Sequence, residues 1–134
     1  MALQAVPNIV MNGKAREAIG FYQKVFGAEV VFQSTVGERP NYQENEKNLI
    51  AHAVLKIGES QIMMSDLVSD LPFQDGSQIS LCIVSDDLAA SKKMFNQLKE
   101  KGTVLMELTK THFTLGYGIV TDQFGVTFQI STAG

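Results

Sequence analysis

The 134-residue sequence contains one cysteine, two histidines and no tryptophan, and each scarcity removes a class of structure or chemistry. Cys82 stands alone, which excludes an internal disulfide framework and any zinc site built on two or more cysteines. His52 and His112 leave little for a His-rich cage, so a metal would need carboxylate help. Lysine and arginine form no cluster in a chain of formal net charge −3, which argues against nucleic acid and anionic membranes as partners, because phosphate binding needs concentrated positive charge. Apolar runs fall short of the roughly 18 to 20 residues that span a bilayer. The opening residues Met1 to Pro7 lack the basic start and apolar run of a signal peptide. The expected setting is the cytoplasm, with small molecules and other proteins as partners. A chain of this length buries roughly two thirds of its unfolded surface, enough for one self-sufficient domain.

Val6, Asn8 and Val10 alternate with Pro7, Ile9 and Met11, predicting a short strand that stops at Asn12-Gly13. Between Lys14 and Phe26 the residues Ala15, Ala18, Ile19, Tyr22, Val25 and Phe26 recur at helical spacing, and Gly27 stands where a C-cap belongs. Strands are expected over 28–36, 49–57 and 60–65, with an exposed polar loop over 37–48 and a hairpin turn at Gly58-Glu59. The order then repeats: a strand over 78–84, a helix over 86–101 with Ser85 or Asp86 as N-cap and Gly102 as C-cap, and strands over 103–108, 115–121 and 126–131. Gly27 and Gly102 lie 75 residues apart and Val10 and Val84 lie 74 apart, a fixed offset that marks a duplication. The expected organisation is one domain over 1–134, with a first module over about 1–70 and a second over about 71–134.

A strand backed by a helix needs one apolar face, while its other face can line a cavity. In the third strand Leu49, Ala51, Ala53, Leu55 and Ile57 are uniformly apolar, opposing Ile50, His52, Val54 and Lys56. In the fifth, Ile79, Leu81 and Ile83 oppose Gln78, Ser80, Cys82 and Val84; in the last, Val126, Phe128 and Ile130 oppose Thr127, Gln129 and Ser131. The mixed faces suit a small-molecule cleft, which takes affinity from apolar area and orientation from a few polar groups. A solvent-washed sheet face is the plain alternative.

The segment from Met11 to Ala28, with Phe21-Tyr22 and Phe26-Gly27-Ala28, resembles the first helix of the vicinal oxygen chelate superfamily of glyoxalase I, bleomycin-resistance proteins and extradiol dioxygenases. His52-Ala53 before Ile57-Gly58, Met63-Met64-Ser65-Asp66, and Gly116-Tyr117-Gly118 before Asp122-Gln123-Phe124-Gly125-Val126 narrow the resemblance to the PhnB-like branch. It implies an α+β fold of two βαβββ modules whose sheets form an incomplete barrel around a cleft, commonly in homodimers. In metal-dependent relatives, His or Glu side chains from the first, fourth, fifth and eighth strands converge there. Those positions fall here on or near Pro7, Met63, Gln78 and Gln129, none of them a histidine or carboxylate. The nearby Ile9 and Met64 are no better. The resemblance therefore implies no resident metal and no other cofactor, and it speaks against chemistries that use a metal as Lewis acid or oxygen-binding centre. A methyltransferase label also attaches to this branch, yet Gly116-Tyr117-Gly118 has no helix after it, unlike a nucleotide-binding turn.

The expected ligand-binding residues are Met11, His52, Met63, Gln78, Cys82 and Gln129. His52 is the candidate general base, since imidazole titrates near neutrality; a hydrogen-bonded structural histidine is its bland counterpart. His112 reads as a solvated loop residue and Cys82 as an inert thiol with no sequence-local base. Loops over 37–48 and 68–76, with Tyr42 or Phe73, are expected as covers for the cleft or as ordinary surface. Three readings follow: a binder of a small organic ligand; a lyase- or isomerase-type enzyme using His52, with or without a weakly held divalent ion; and a protein-partner module.

Overall fold

The first strand and helix fall where periodicity put them: β1 spans Asn8–Met11 and α1 spans Ala15–Phe26 in the computed structural model, which describes residues 2–67, 72–74 and 76–133. β2 (Glu29–Thr35), β3 (Ile50–Ile57) and β4 (Ser60–Asp66) complete a first sheet of order β1-β4-β3-β2. β5 (Leu81–Ser85), α2 (Leu88–Lys99), β6 (Thr103–Thr109), β7 (Tyr117–Thr121) and β8 (Thr127–Thr132) repeat the plan in a second sheet, β5-β8-β7-β6. Within each sheet the outer β1 or β5 runs parallel to its neighbour, and the other pairings are antiparallel. The fold is α+β, two βαβββ units over 1–73 and 74–134. Among the described residues no helix is long and apolar enough to cross a membrane.

Each helix covers one face of its own sheet. In the first unit Ala15, Ala18, Ile19, Tyr22 and Val25 of α1 are buried with Ala53, Leu55, Ile62 and Met64 of the strands beneath. In the second, Phe95 and Leu98 of α2 are buried with Val120, Phe128 and Ile130. The alternation placed Leu81 and Ile83 of β5 and Phe128 and Ile130 of β8 correctly, while Ile79, grouped with them, is exposed ahead of β5. Alternation failed at the start of β3, where Ile50 is fully buried and not on the mixed face. The pairing with β2 shifts there, between Ser34–His52 and Thr35–Ile50, and an irregularity of one residue reverses the side a residue occupies.

Local chemistry adjusts several boundaries. Gly27 takes the left-handed conformation at the end of α1, as expected. For α2 the N-cap is Asp87, not Ser85 or Asp86: its carboxylate accepts the Ala89 N–H at 3.0 Å, while Ser85 Oγ accepts the Asp87 N–H. Nor is Gly102 the left-handed residue after α2; Lys101 takes that conformation. Gly102 serves close packing, because a Cβ there would meet the backbone carbonyls of Thr121 and Leu98. We predict that Gly102→Ala lowers unfolding free energy by about 2 kcal/mol, read from the urea midpoint, since backbone must shift to admit the methyl group.

β5 starts three residues later than alternation suggested, leaving Gln78 in a bend before it, and β7 starts at Tyr117 and not Leu115. Two single-turn 3-10 helices, Val36–Glu38 and Glu44–Glu46, lie between β2 and β3, the first taking Val36 from the expected strand. Glu38 accepts the Thr35 N–H and hydroxyl, and these bonds hold its carboxyl below the usual range. The Gly37 N–H donates to the Lys47 carbonyl, so the loop folds upon itself. Of the segment 68–76 read as a cover, residues 68–71 and 75 lie outside the described residues; Phe73 is exposed.

Candidate functional site

Strand register determines which side chains share the face that each sheet turns away from its helix. On the second sheet, Cys82, Gln129, Ile119 and Met106 lie side by side across four strands, and Val84, Ser131, Tyr117 and Thr109 form the next row. Thr127, Thr121 and Thr103 make a third row, with the Thr121 and Thr127 hydroxyls 2.7 Å apart. None of these residues is Asp, Glu, Lys, Arg or His.

Gln129 is the centre of this face. Its amide oxygen accepts the Tyr117 hydroxyl at 2.7 Å, and its amide nitrogen donates to Ser80 Oγ at 3.0 Å. All three residues are half-buried. With the phenol donating to the amide oxygen, the amide nitrogen is the end that faces Ser80. Beside Tyr117 lies Phe113, ring centroids 5.7 Å apart, and His112 packs edge-on against Phe113 at 5.2 Å. Phe113 is nonetheless 64% exposed. Its loop is tied by Thr111, whose hydroxyl accepts the Phe113 and Thr114 N–H groups and whose own N–H donates to the Thr114 carbonyl.

The first sheet carries the same grid with other residues. Asn8, Met63, Val54 and Phe32 form the row that corresponds to Cys82, Gln129, Ile119 and Met106. His52, paired with Ser34, stands where Tyr117, paired with Thr109, stands in the second sheet. Its half-buried ring lies 5.8 Å from that of Phe32.

The six expected ligand residues therefore separate. Cys82 and Gln129 are neighbours on one open face, and Met63 and His52 share the other. Met11 is buried on the helix side, paired with Asp66, and belongs to the core. Gln78 is exposed ahead of β5. Sequence reasoning missed Tyr117, although its alternation with Ile119 and Thr121 already placed it on the face of Gln129 once β7 and β8 were paired.

Residues 7–130 match the family model described as the Glyoxalase/Bleomycin resistance protein/Dioxygenase superfamily. The chain belongs to this superfamily. Protein YjdN of Escherichia coli (strain K12) is 32% identical over 136 residues, 93% of this chain and 92% of that protein. The crystal structure of protein PA1353 from Pseudomonas aeruginosa is 30% identical over 98% of both chains, with a TM-score of 0.91. The PhnB protein from Bacillus cereus is 25% identical over 98% of this chain and 100% of its own, with a TM-score of 0.83. This chain is thus a PhnB-like member of the superfamily.

Metal-dependent superfamily members set the test for the four positions, of which Gln78 lies exposed ahead of β5. Pro7 offers only a backbone carbonyl, which accepts the Met63 N–H at 2.8 Å. Met63 offers a thioether, a soft donor, and Gln129 an amide oxygen that already accepts a phenol proton. Among the described residues no group of three or more His, Cys, Asp or Glu side chains could hold a metal ion. This donor set does not fit a divalent cation.

Proposed function

We propose that this superfamily member binds a small organic molecule on the open face of its second sheet, without a resident metal. The observation that carries the reading is the hydrogen-bonded series Tyr117–Gln129–Ser80 set among Cys82, Ile119 and Met106. Half-buried polar groups fixed by one another among apolar neighbours supply orientation and contact area together. The open face of the first sheet, with Met63, Val54 and Phe32 in register, has apolar area and, among the described residues, no comparable hydrogen-bonded series.

A thermal-shift screen over divalent metals, antibiotics and small carbonyl compounds tests this, since a ligand of the native state raises the melting temperature. The expected result is stabilisation by an organic compound and none by metals. Tyr117→Phe should weaken that compound roughly ten-fold, because the Gln129 amide loses the bond that orients it. A stoichiometric transition metal retained through purification, or a hit indifferent to Tyr117→Phe, overturns the reading.

His52 as the base of a lyase or isomerase is the second reading, favoured by its half-buried place on an open face beside Phe32. Among the described residues no carboxylate hydrogen-bonds the imidazole to orient it, so binding ranks first. The methyltransferase label finds no support in Gly116 and Gly118. A Cβ at Gly116 would come within 2.8 Å of Leu88 Cδ1, and one at Gly118 within 2.8 Å of Phe95 Cε2, so both glycines make room for α2.

A further inference from the structure

The hydrogen-bond capacity left on the second sheet's open face is uneven, and it describes a ligand. Tyr117 spends its only proton on Gln129, so toward a ligand it can only accept. Gln129 spends one amide N–H on Ser80 and keeps the other, and Ser80, which accepts in that bond, keeps its hydroxyl proton. Two neighbouring donors thus remain, and they favour one oxygen with two lone pairs, as a carbonyl has.

Charge narrows the class further. The residues that register places on this face include no Asp, Glu, Lys or Arg, so an ionic ligand would give up hydration and find no counter-charge among them. Phe113 narrows the shape. It exposes most of its ring to water while its loop is held by Thr111, and the ring adjoins that of Tyr117, whose hydroxyl reaches Gln129. A fixed, wet aromatic surface beside a polar anchor favours a flat partner that covers the ring.

We infer that the ligand is a neutral, planar aromatic carbonyl compound, its oxygen received by the Gln129 amide N–H and the Ser80 hydroxyl and its ring resting on Phe113. This rests on the binding reading above and specifies its chemistry.

The test is a titration of the ¹⁵N-labelled full chain with benzamide, benzoate and benzylamine, following the Gln129 side-chain amide and the Phe113 backbone signal. Benzamide is expected to move both signals saturably and to bind at least roughly ten-fold more tightly than either charged analogue. Gln129→Leu should abolish that preference with the rest of the amide spectrum unchanged; if it does not fold, Ser80→Ala serves, with a smaller loss of preference. Phe113→Ala should weaken all three probes. Equal or tighter binding of benzoate or benzylammonium at this face overturns the inference and leaves the binding reading intact. No movement at Gln129 with benzamide also overturns it. The binding reading itself is decided separately, by the wider screen of organic compounds, the metal content of the purified protein and Tyr117→Phe.

Discussion

Phe128→Ala is expected to lower the unfolding free energy by about 4 kcal/mol, with the urea midpoint falling at nearly constant slope. Phe128 is 1% exposed and lies in β8 between Leu81 and Val120, on the side facing α2. Its removal leaves a ring-sized cavity that β8 cannot close, because the strand is paired on both sides. Gln129 and Ser131 point the other way, so a folded variant keeps the open face. A loss below about 1 kcal/mol would mean that the helix-covered side of the second sheet is not its core.

Asp66→Ala is expected to cost about 3 kcal/mol by a different route. The buried carboxylate accepts the Ala15 N–H at 3.0 Å through one oxygen and the Ile50 N–H at 2.9 Å through the other. Lys14, just before α1, makes no side-chain cap bond, so the last strand of the unit caps the helix from 51 residues away. The negative charge also opposes the positive end of the helix dipole. Alanine leaves two buried donors unpaired, and each costs more than a bond contributes. Denaturant midpoints give the size; faster hydrogen exchange at Ala15 and Ile50 gives the location. Unchanged exchange at both amides would contradict the assignment. The second unit has no need of such an acceptor. Thr132, which replaces Asp66 in the equivalent register, bonds to Ser91, and Asp87 caps α2 locally.

Elements with local causes were legible in the sequence. α1 follows from apolar spacing and from Gly27, whose positive φ of 65° is the feature that favours glycine there. Asp122-Gln123-Phe124-Gly125 reads as a turn, and it is one: the Asp122 carboxylate accepts the Phe124 and Val126 N–H groups, and Gly125 has φ of 88°. Alternation likewise put Gln129 and Cys82 on the face away from the helix. The errors came where alternation met an irregularity or a neighbouring strand. Ile50 changed sides at a shift in pairing, and Met11, expected among the ligand residues although alternation gave it no face, is buried beside Asp66.

The site divides the same way. Glutamine at position 129, proline at 7 and methionine at 63 can be read from the sequence, and with the resemblance they sufficed to argue against the superfamily's metal. That Gln129 is held between Tyr117 and Ser80 could not be read, because Ser80 is 49 residues away and the contact depends on β5 lying next to β8. The sequence by itself determined the two repeated units, their helices and most strand faces, since periods of 3.6 and 2 and the torsions of glycine act within a few residues. Tertiary structure alone decided the capping of α1 by Asp66, the burial of Ile50 and Met11, and the polar series on the second sheet. Each of these depends on the register between distant strands, where a slip of one residue turns every side chain to the opposite face.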